Sequence, residues 1–282
     1  MKKFTLFFAF VFACSMTFAQ SNSSNVRQEG DDNTTTVTQV GNSNTNGLSQ
    51  VGSANSADVA QEGGTNNSEV ATTGDNNVVS LAQIGNANNG INILNGNDNT
   101  ASITSEGDNN IVRQEATTNS SNLVGFQQGN GNVAVQSISG TGLGNNQTVA
   151  NSIGDDNTVT QDMSGENSNM LIDQFGNANT GIFQQDGVSN NVSALQEGNS
   201  NTIVAGQTGN NNFSGGQNDV QLSQVGDANL IELSQQGDMN TSATFQTGND
   251  NVSSNAQLGN SHTSLIQQTG ARNSAGVSQS EN

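Results

Sequence analysis

The chain has 282 residues, 30% hydrophobic and 10% charged, with 33 Gly and no Pro, Trp or Tyr. A soluble globular domain has about 45–50% apolar and about 25% charged residues, and here 48 Asn and 27 Gln fill the difference. An ordinary core of this size is excluded, while the absence of Pro argues against disorder and for backbone N–H groups that are nearly all needed.

The formal net charge is −19. Beyond Lys2 and Lys3 the chain keeps 3 Arg (Arg27, Arg113, Arg272) against 24 acids, a net of −21. Nucleic acid and anionic lipid both need a basic footprint, so neither is expected as a partner. The first element is a leader. Met1-Lys2-Lys3 is a positive start, Phe4 to Ala13 is apolar except for Thr5, and Thr17-Phe18-Ala19 offers a small-residue cleavage site before Gln20. This predicts a secretory signal peptide over 1–19, its apolar run shorter than the ~20 residues of a membrane span. A lipoprotein signal ending at Cys14 is the rival, with Phe12 a poor fit where a small residue is expected. Cys14 is the one Cys, so the mature chain can hold no disulfide.

After a short segment, 20–27, a repeat occupies 28–282. Gly recurs every 11 residues from Gly30 to Gly107, then at Gly129 and Gly140, from Gly154 to Gly209, and in a new frame from Gly215 to Gly270. Of these 22 positions, 15 have Gln two before and 19 have Asn three after. The unit is Q-x-G-x-x-N plus five residues, with irregular stretches near 109–165 and 209–215. Counted from Gly, Asn at +3, apolar residues at +5 and +7, and Gln at +9 are all odd, so on an extended strand they share one face. Gly215, Asn218, Val220, Leu222, Gln224 and Gly226 show the pattern. Val252, Ala256, Ala243 and Phe245 fall on even offsets, as though those units slip. Gly and Asn, both tolerant of positive φ, are expected to make the bend.

An 11-residue period also suits a right-handed helical supercoil, but a Gly in every unit costs a helix about 1 kcal/mol each. The prediction is all-β: a β-solenoid (β-helix) of 11-residue strand-turn units, two per 22-residue rung. Roughly eleven rungs at about 4.7–4.8 Å would stand on the order of 50 Å tall. Inward amides align with their copies one rung away and satisfy each other in ladders. The ladder and bend residues so assigned are Gln39, Gly41, Asn44, Gln50, Gly52, Asn55, Gln83, Gly85, Asn88, Gln174, Gly176, Asn179, Gln224, Gly226, Asn229, Gln235, Gly237 and Asn240. The core is assigned to Val37, Leu48, Val59, Leu81, Val220, Leu222, Ile231 and Leu233.

The unit resembles the curlin repeat of curli-type bacterial amyloid fibres. Gln39-Val-Gly41-Asn-Ser-Asn44, Gln83-Ile-Gly85-Asn-Ala-Asn88, Gln174-Phe-Gly176-Asn-Ala-Asn179 and Gln224-Val-Gly226-Asp-Ala-Asn229 match it closely, and the likeness runs from Gln28 to Gln279. It departs from better-known curlins in lacking Tyr and in having many more repeats. The resemblance implies export through a dedicated outer-membrane pore with its chaperones, self-assembly outside the cell into biofilm matrix fibres, and a related subunit as nucleator or co-polymer. The amide-rich stretch 20–25 is similar to that family's secretion-recognition segment.

Without the family, the same expectation follows from the two open ends of a solenoid, each a row of unpaired backbone groups. The terminal rungs near Val37 and Val277 are expected to carry assembly, with bend acids (Asp31, Asp32, Asp108, Asp155, Asp156) slowing it by repulsion. The alternative is a non-fibrous β-solenoid adhesin, with calcium at acidic bends as a lesser reading, since Asp follows Gly only sporadically. An ice-binding face would need a Thr ladder, and Thr34-Thr35-Thr36 does not recur in register. His262 stands in an Asn position without a metal-binding or catalytic neighbour, and Asp155–Asp156 lie in a bend. No enzyme, cofactor or metal site is expected.

Overall fold

In the computed structural model, residues 21–214 and 221–281 are described. The leader, Gly215, Asn218 and Val220 lie outside the described residues. Among those described there are strands and no helix. Strands of mostly seven or nine residues alternate between two parallel sheets. Sheet one starts with Ser23–Glu29 and ends with Ser274–Ser280, and sheet two starts with Thr34–Asn42 and ends with Thr263–Thr269. Strands pair with those one turn further along the chain: Val37 lies opposite Val59, and Val59 opposite Leu81. The fold is the predicted β-solenoid, and one turn takes 22 residues, as from Gln61 to Gln83.

Strand Thr45–Val51 shows how the sequence selects its face. Asn46, Leu48 and Gln50 are buried, while Thr45, Gly47, Ser49 and Val51 turn outward. Units whose apolar residues sit on even offsets do not slip. In Val252–Leu258 it is Ser253, Asn255 and Gln257 that are buried, and Val252 is 40% exposed. In Thr241–Thr247 the buried residues are Ser242, Thr244 and Gln246, with Ala243 and Phe245 half-buried. Register is therefore set by the bends and the flanking amides, and hydrophobicity yields to it.

The bend corrects one expectation. Gly takes positive φ, but the second left-handed residue is at +2, where the side chain is arbitrary: Gly85 has φ 120° and Ala87 φ 56°, and Gly52 has φ 121° and Ala54 φ 57°. Asn at +3 is not in the left-handed region; it is buried as a hydrogen-bonding group. The bend also carries the ladder, since Gly52 N–H donates to the Glu29 carbonyl and Ala54 N–H to the Asp31 carbonyl, both at 2.9 Å.

Two insertions leave both sheets continuous. Near Gly140 the repeat distance becomes 25 residues, as in Asn132 to Asn157, and Asn146 takes the place after the bend that Leu143 would have held. In the second, Phe213–Ser214 and Leu222–Val225 both pair with Asn191–Glu197. The distance across it grows to 28 residues, as from Gln196 to Gln224. One strand level is thus interrupted, and the bend before it is made by Gly209 and Asn212, with Asn212 donating to the Thr208 carbonyl at 3.3 Å.

A Cβ on Gly85 would lie 2.0 Å from the Gly107 carbonyl oxygen. Gly85→Ala is therefore expected to destabilise by at least about 2–3 kcal/mol. Ala87→Gly relieves a left-handed alanine worth about 1–2 kcal/mol, less the added chain entropy of glycine, and is expected to stabilise. Urea unfolding of the soluble monomer checks that two substitutions two residues apart have opposite signs.

Candidate functional site: amide ladders and uncovered ends

The Gln positions form two files inside the solenoid. In sheet two Gln39 Nε2 donates to Gln61 Oε1 and Gln61 to Gln83, each at 2.8 Å. The file resumes at Gln174 and runs through Gln196, Gln224 and Gln246 to Gln268 over distances of 2.8–3.1 Å. In sheet one Gln28 donates to Gln50 at 2.8 Å, and an unbroken file links Gln185, Gln207, Gln235, Gln257 and Gln279. Every donor points toward the C-terminal end. The second amide hydrogen crosses to the other sheet, as Gln61 to the Thr45 carbonyl at 3.1 Å and Gln224 to the Thr202 carbonyl at 2.9 Å. Along a run both amide atoms are thereby used in a site closed to water, where an unmet polar group is costly; the Oε1 of Gln185, which heads its run, is buried without a partner.

The Asn files act on the bends. Asn88 Nδ2 donates to the Gly107 carbonyl at 2.7 Å, one turn ahead, and Asn88 N–H donates to Asn66 Oδ1, one turn behind, at 3.0 Å. Asn44, Asn55, Asn179, Asn229 and Asn240 hold Gly63, Gly74, Gly198, Gly248 and Gly259 in the same way. The glycines Gly41, Gly52, Gly85, Gly176, Gly226 and Gly237 all take positive φ, and a Cβ on any of them would lie 2.2 Å or less from the carbonyl oxygen of the next bend. His262 occupies an Asn position by imitation. Its N–H donates to Asn240 Oδ1 at 3.0 Å, and Nε2 lies 3.1 Å from the Leu258 carbonyl.

Of the assigned core, Leu48, Val59, Leu81, Leu222, Ile231 and Leu233 are buried, and Val37, in the first strand of sheet two, is half-buried against them. The sequence reading missed a change of file in the middle of sheet one. There Leu94, Ala116, Ile138 and Met163 fill the +9 position and the amides move to +7, where Gln114, Gln136 and Gln161 bond in series at 2.7 and 2.8 Å. The signal was present as Gln seven after Gly in three successive rungs, but a consensus counted at one offset hides it. Asn92 leads this run, one methylene too short. Both its amide atoms, and the Gln114 Oε1 ahead of it, are buried without a partner.

A third file, on the outside of the bends, explains the acids. Asn86 N–H donates to Asp108 Oδ1 at 2.7 Å, Asp108 N–H to Asn130 Oδ1 at 2.9 Å, and Asn130 N–H to Asp155 Oδ1 at 2.7 Å. The run continues through Asn177 and Asn199 to Asp227 and Asn249. In it no two aspartates stand in adjacent turns, where like charges at strand spacing would repel. Asp32 and Asp156 sit instead at the left-handed +2 position. Among the described residues, no three His, Cys, Asp or Glu side chains gather as a metal site requires.

The files stop at the ends. Among the described strands, Ser23–Glu29 and Thr34–Asn42 each pair on one side only, and so do Thr263–Thr269 and Ser274–Ser280. Val26 is 44% exposed at the first end. Gln268 and Gln279 donate once each, to the Val252 and Thr263 carbonyls, where Gln246 and Gln257 one turn back donate twice. The C-terminal end thus carries spare amide donors and the N-terminal end carries amide acceptors, at Gln28 and Gln39.

Gln196→Ala interrupts a filled file, leaving the Gln174 donor and the Gln224 acceptor buried and unmet, and is expected to cost about 2–4 kcal/mol. Asn92→Leu removes two unmet polar atoms without changing shape and is expected to be neutral or stabilising. Denaturant midpoints of the two variants against the parent check the contrast.

With this geometry in place, residues 30–63 and 52–85 match the family model of the curlin associated repeat. Each match begins and ends on a bend glycine, and the second lies one turn after the first. The match agrees with the resemblance carried by the Q-x-G-x-x-N units. No curated protein matches the chain.

Proposed function

We propose, for a chain that carries curlin associated repeats on a β-solenoid, a structural role: a secreted subunit that assembles into curli-like amyloid fibres at the cell surface or in a biofilm matrix. The observation that supports this most is that the first and last described strands of each sheet pair on one side only. An exposed strand edge invites another strand, and here each end carries two edges, with amide donors at one end and acceptors at the other. A second copy can satisfy both by head-to-tail strand addition. Export by the leader, a curli-type secretion pore with its chaperones, and a related nucleating subunit belong to this proposal through the family resemblance. The chain works as material, through its backbone and amides, and no catalytic step is assigned to it.

Incubating the mature protein with thioflavin T and recording fibre diffraction tests this reading. Fibres with a meridional reflection near 4.7–4.8 Å are expected. Persistent monomers would favour a soluble surface adhesin instead. The net charge of −21 after Lys3, from 3 Arg and 24 acids, should slow the encounter of two copies. Raising salt from about 0.01 M to about 1 M cuts the screening length from about 30 Å to about 3 Å, and the lag before fibre growth is expected to shorten. An unchanged lag would remove repulsion as a control on assembly.

A further inference from the structure

The described solenoid begins and ends in the same sheet. Sheet one has twelve strand levels from Ser23–Glu29 to Ser274–Ser280 among the described residues. Sheet two has eleven, because Phe213–Ser214 and Leu222–Val225 share the level next to Asn191–Glu197. The described stack is therefore eleven and a half rungs, and at each of its ends sheet one projects by one strand.

That step decides how two copies can join. If sheet one continued into sheet one, Ser274–Ser280 would pair with the next copy's Ser23–Glu29. Thr263–Thr269 would then face the next copy's Thr34–Asn42 across an empty level, two spacings or about 9.6 Å away. Both strands would keep a row of unmet backbone groups inside the junction, which is costly. If the next copy is turned by half a revolution about the long axis, its Ser23–Glu29 fills the empty level under Thr263–Thr269, and its Thr34–Asn42 then lies under Ser274–Ser280. The turn is permitted because both sheets are built from the same strand-bend unit with the same Asn and Gln files.

Resting on the fibre reading above, we infer that successive copies of this chain join with their sheets exchanged: sheet one of each copy continues into sheet two of the next. The register follows from the repeat. Gln268 and Gln279, each with a spare donor, meet the Oε1 atoms of the next copy's Gln28 and Gln39. Ile266 and Val277 lie on the next copy's Val26 and Val37, which covers Val26, now 44% exposed, and the half-buried Val37 and Val277. The bend at Gly270 lies over the next copy's Gly30, as Gly248 lies over Gly270 within one chain.

Beyond Cys14 the sequence has no Cys, so disulfide pairing can read the junction. Asn25, Leu265 and Gly276 are exposed on the outer face of end strands. With exchanged sheets, residue 25 of one copy neighbours residue 265 of the copy before it, at the strand spacing that a disulfide accepts. Without exchange it neighbours residue 276. The double variants N25C/L265C and N25C/G276C are grown into fibres, scored by thioflavin T, oxidised, dissolved and run on non-reducing gels. The inference expects a covalent ladder containing most of the protein for N25C/L265C and monomer for N25C/G276C. A ladder for N25C/G276C, or fibres without a ladder in either variant, would overturn the exchange and leave the fibre reading standing. An absence of fibres from the parent protein would overturn both.

Discussion

Most turns of this solenoid are fastened to the next by an asparagine amide that reaches forward to a glycine carbonyl, as Asn88 to Gly107, and Asn99 reaches Thr118 in the same way. The bond needs a backbone that passes close by, which favours a residue without a Cβ: at Gly85 an added carbon would meet the next carbonyl oxygen at 2.0 Å. Gly and Asn are therefore one device in two positions, each useless without its counterpart a turn away. From it follow the spacing of the repeat, the register of one turn on the next and the choice of face. It also relaxes the rest of the sequence, because a strand pinned at both ends by amides keeps its register with Ser253 and Asn255 inside and Val252 outside.

The amide files change what the interior is made of. Bulky apolar side chains concentrate in the middle of the stack, as Ile103, Leu123, Ile138, Met163, Met170, Ile172 and Phe183. Toward the C-terminal end the interior becomes polar. There Asn255 donates to Ser242 and Ser264, and glutamines run in an unbroken file to Gln279. A polar file that is satisfied only by a copy of itself favours one continuation above others, namely the same sequence in the same register. Hydrophobic surface would give more stabilisation but less selection. The outer Asn and Asp file works alongside this. Either residue accepts the bend N–H, so the chain can place charge at intervals without stacking aspartate on aspartate.

Much of this was legible because the fold is one-dimensional. A regular Gly frame, with Asn at +3 and Gln at +9, specifies strand, bend, inward face and stacking direction without any long-range contact having to be guessed. What stayed hidden was what the period does not encode. The left-handed +2 position accepts Ala87, Asp32 or Arg272 alike, so composition carries no mark of it, and Asn at +3 looked like the turn residue when it is the fastener. The move of Gln114, Gln136 and Gln161 to +7 preserves face and chemistry, and so leaves the consensus unchanged in appearance. Gly215 fell on a plausible frame, yet the pairing of Asn191–Glu197 with two separated segments shows one strand level there. The half-rung excess could be counted only once that level was known.

The central claim is that the interactions closing one turn onto the next inside the chain are also those that would close one copy onto the next. Cryo-electron microscopy of the fibres at a resolution that separates strands tests it most directly. The account predicts two unbroken parallel ladders at about 4.8 Å spacing, with the glutamine and asparagine files running through every junction between copies. A vacant strand level, a change of register, or lateral contacts between outer faces in place of end-to-end ladders would contradict it.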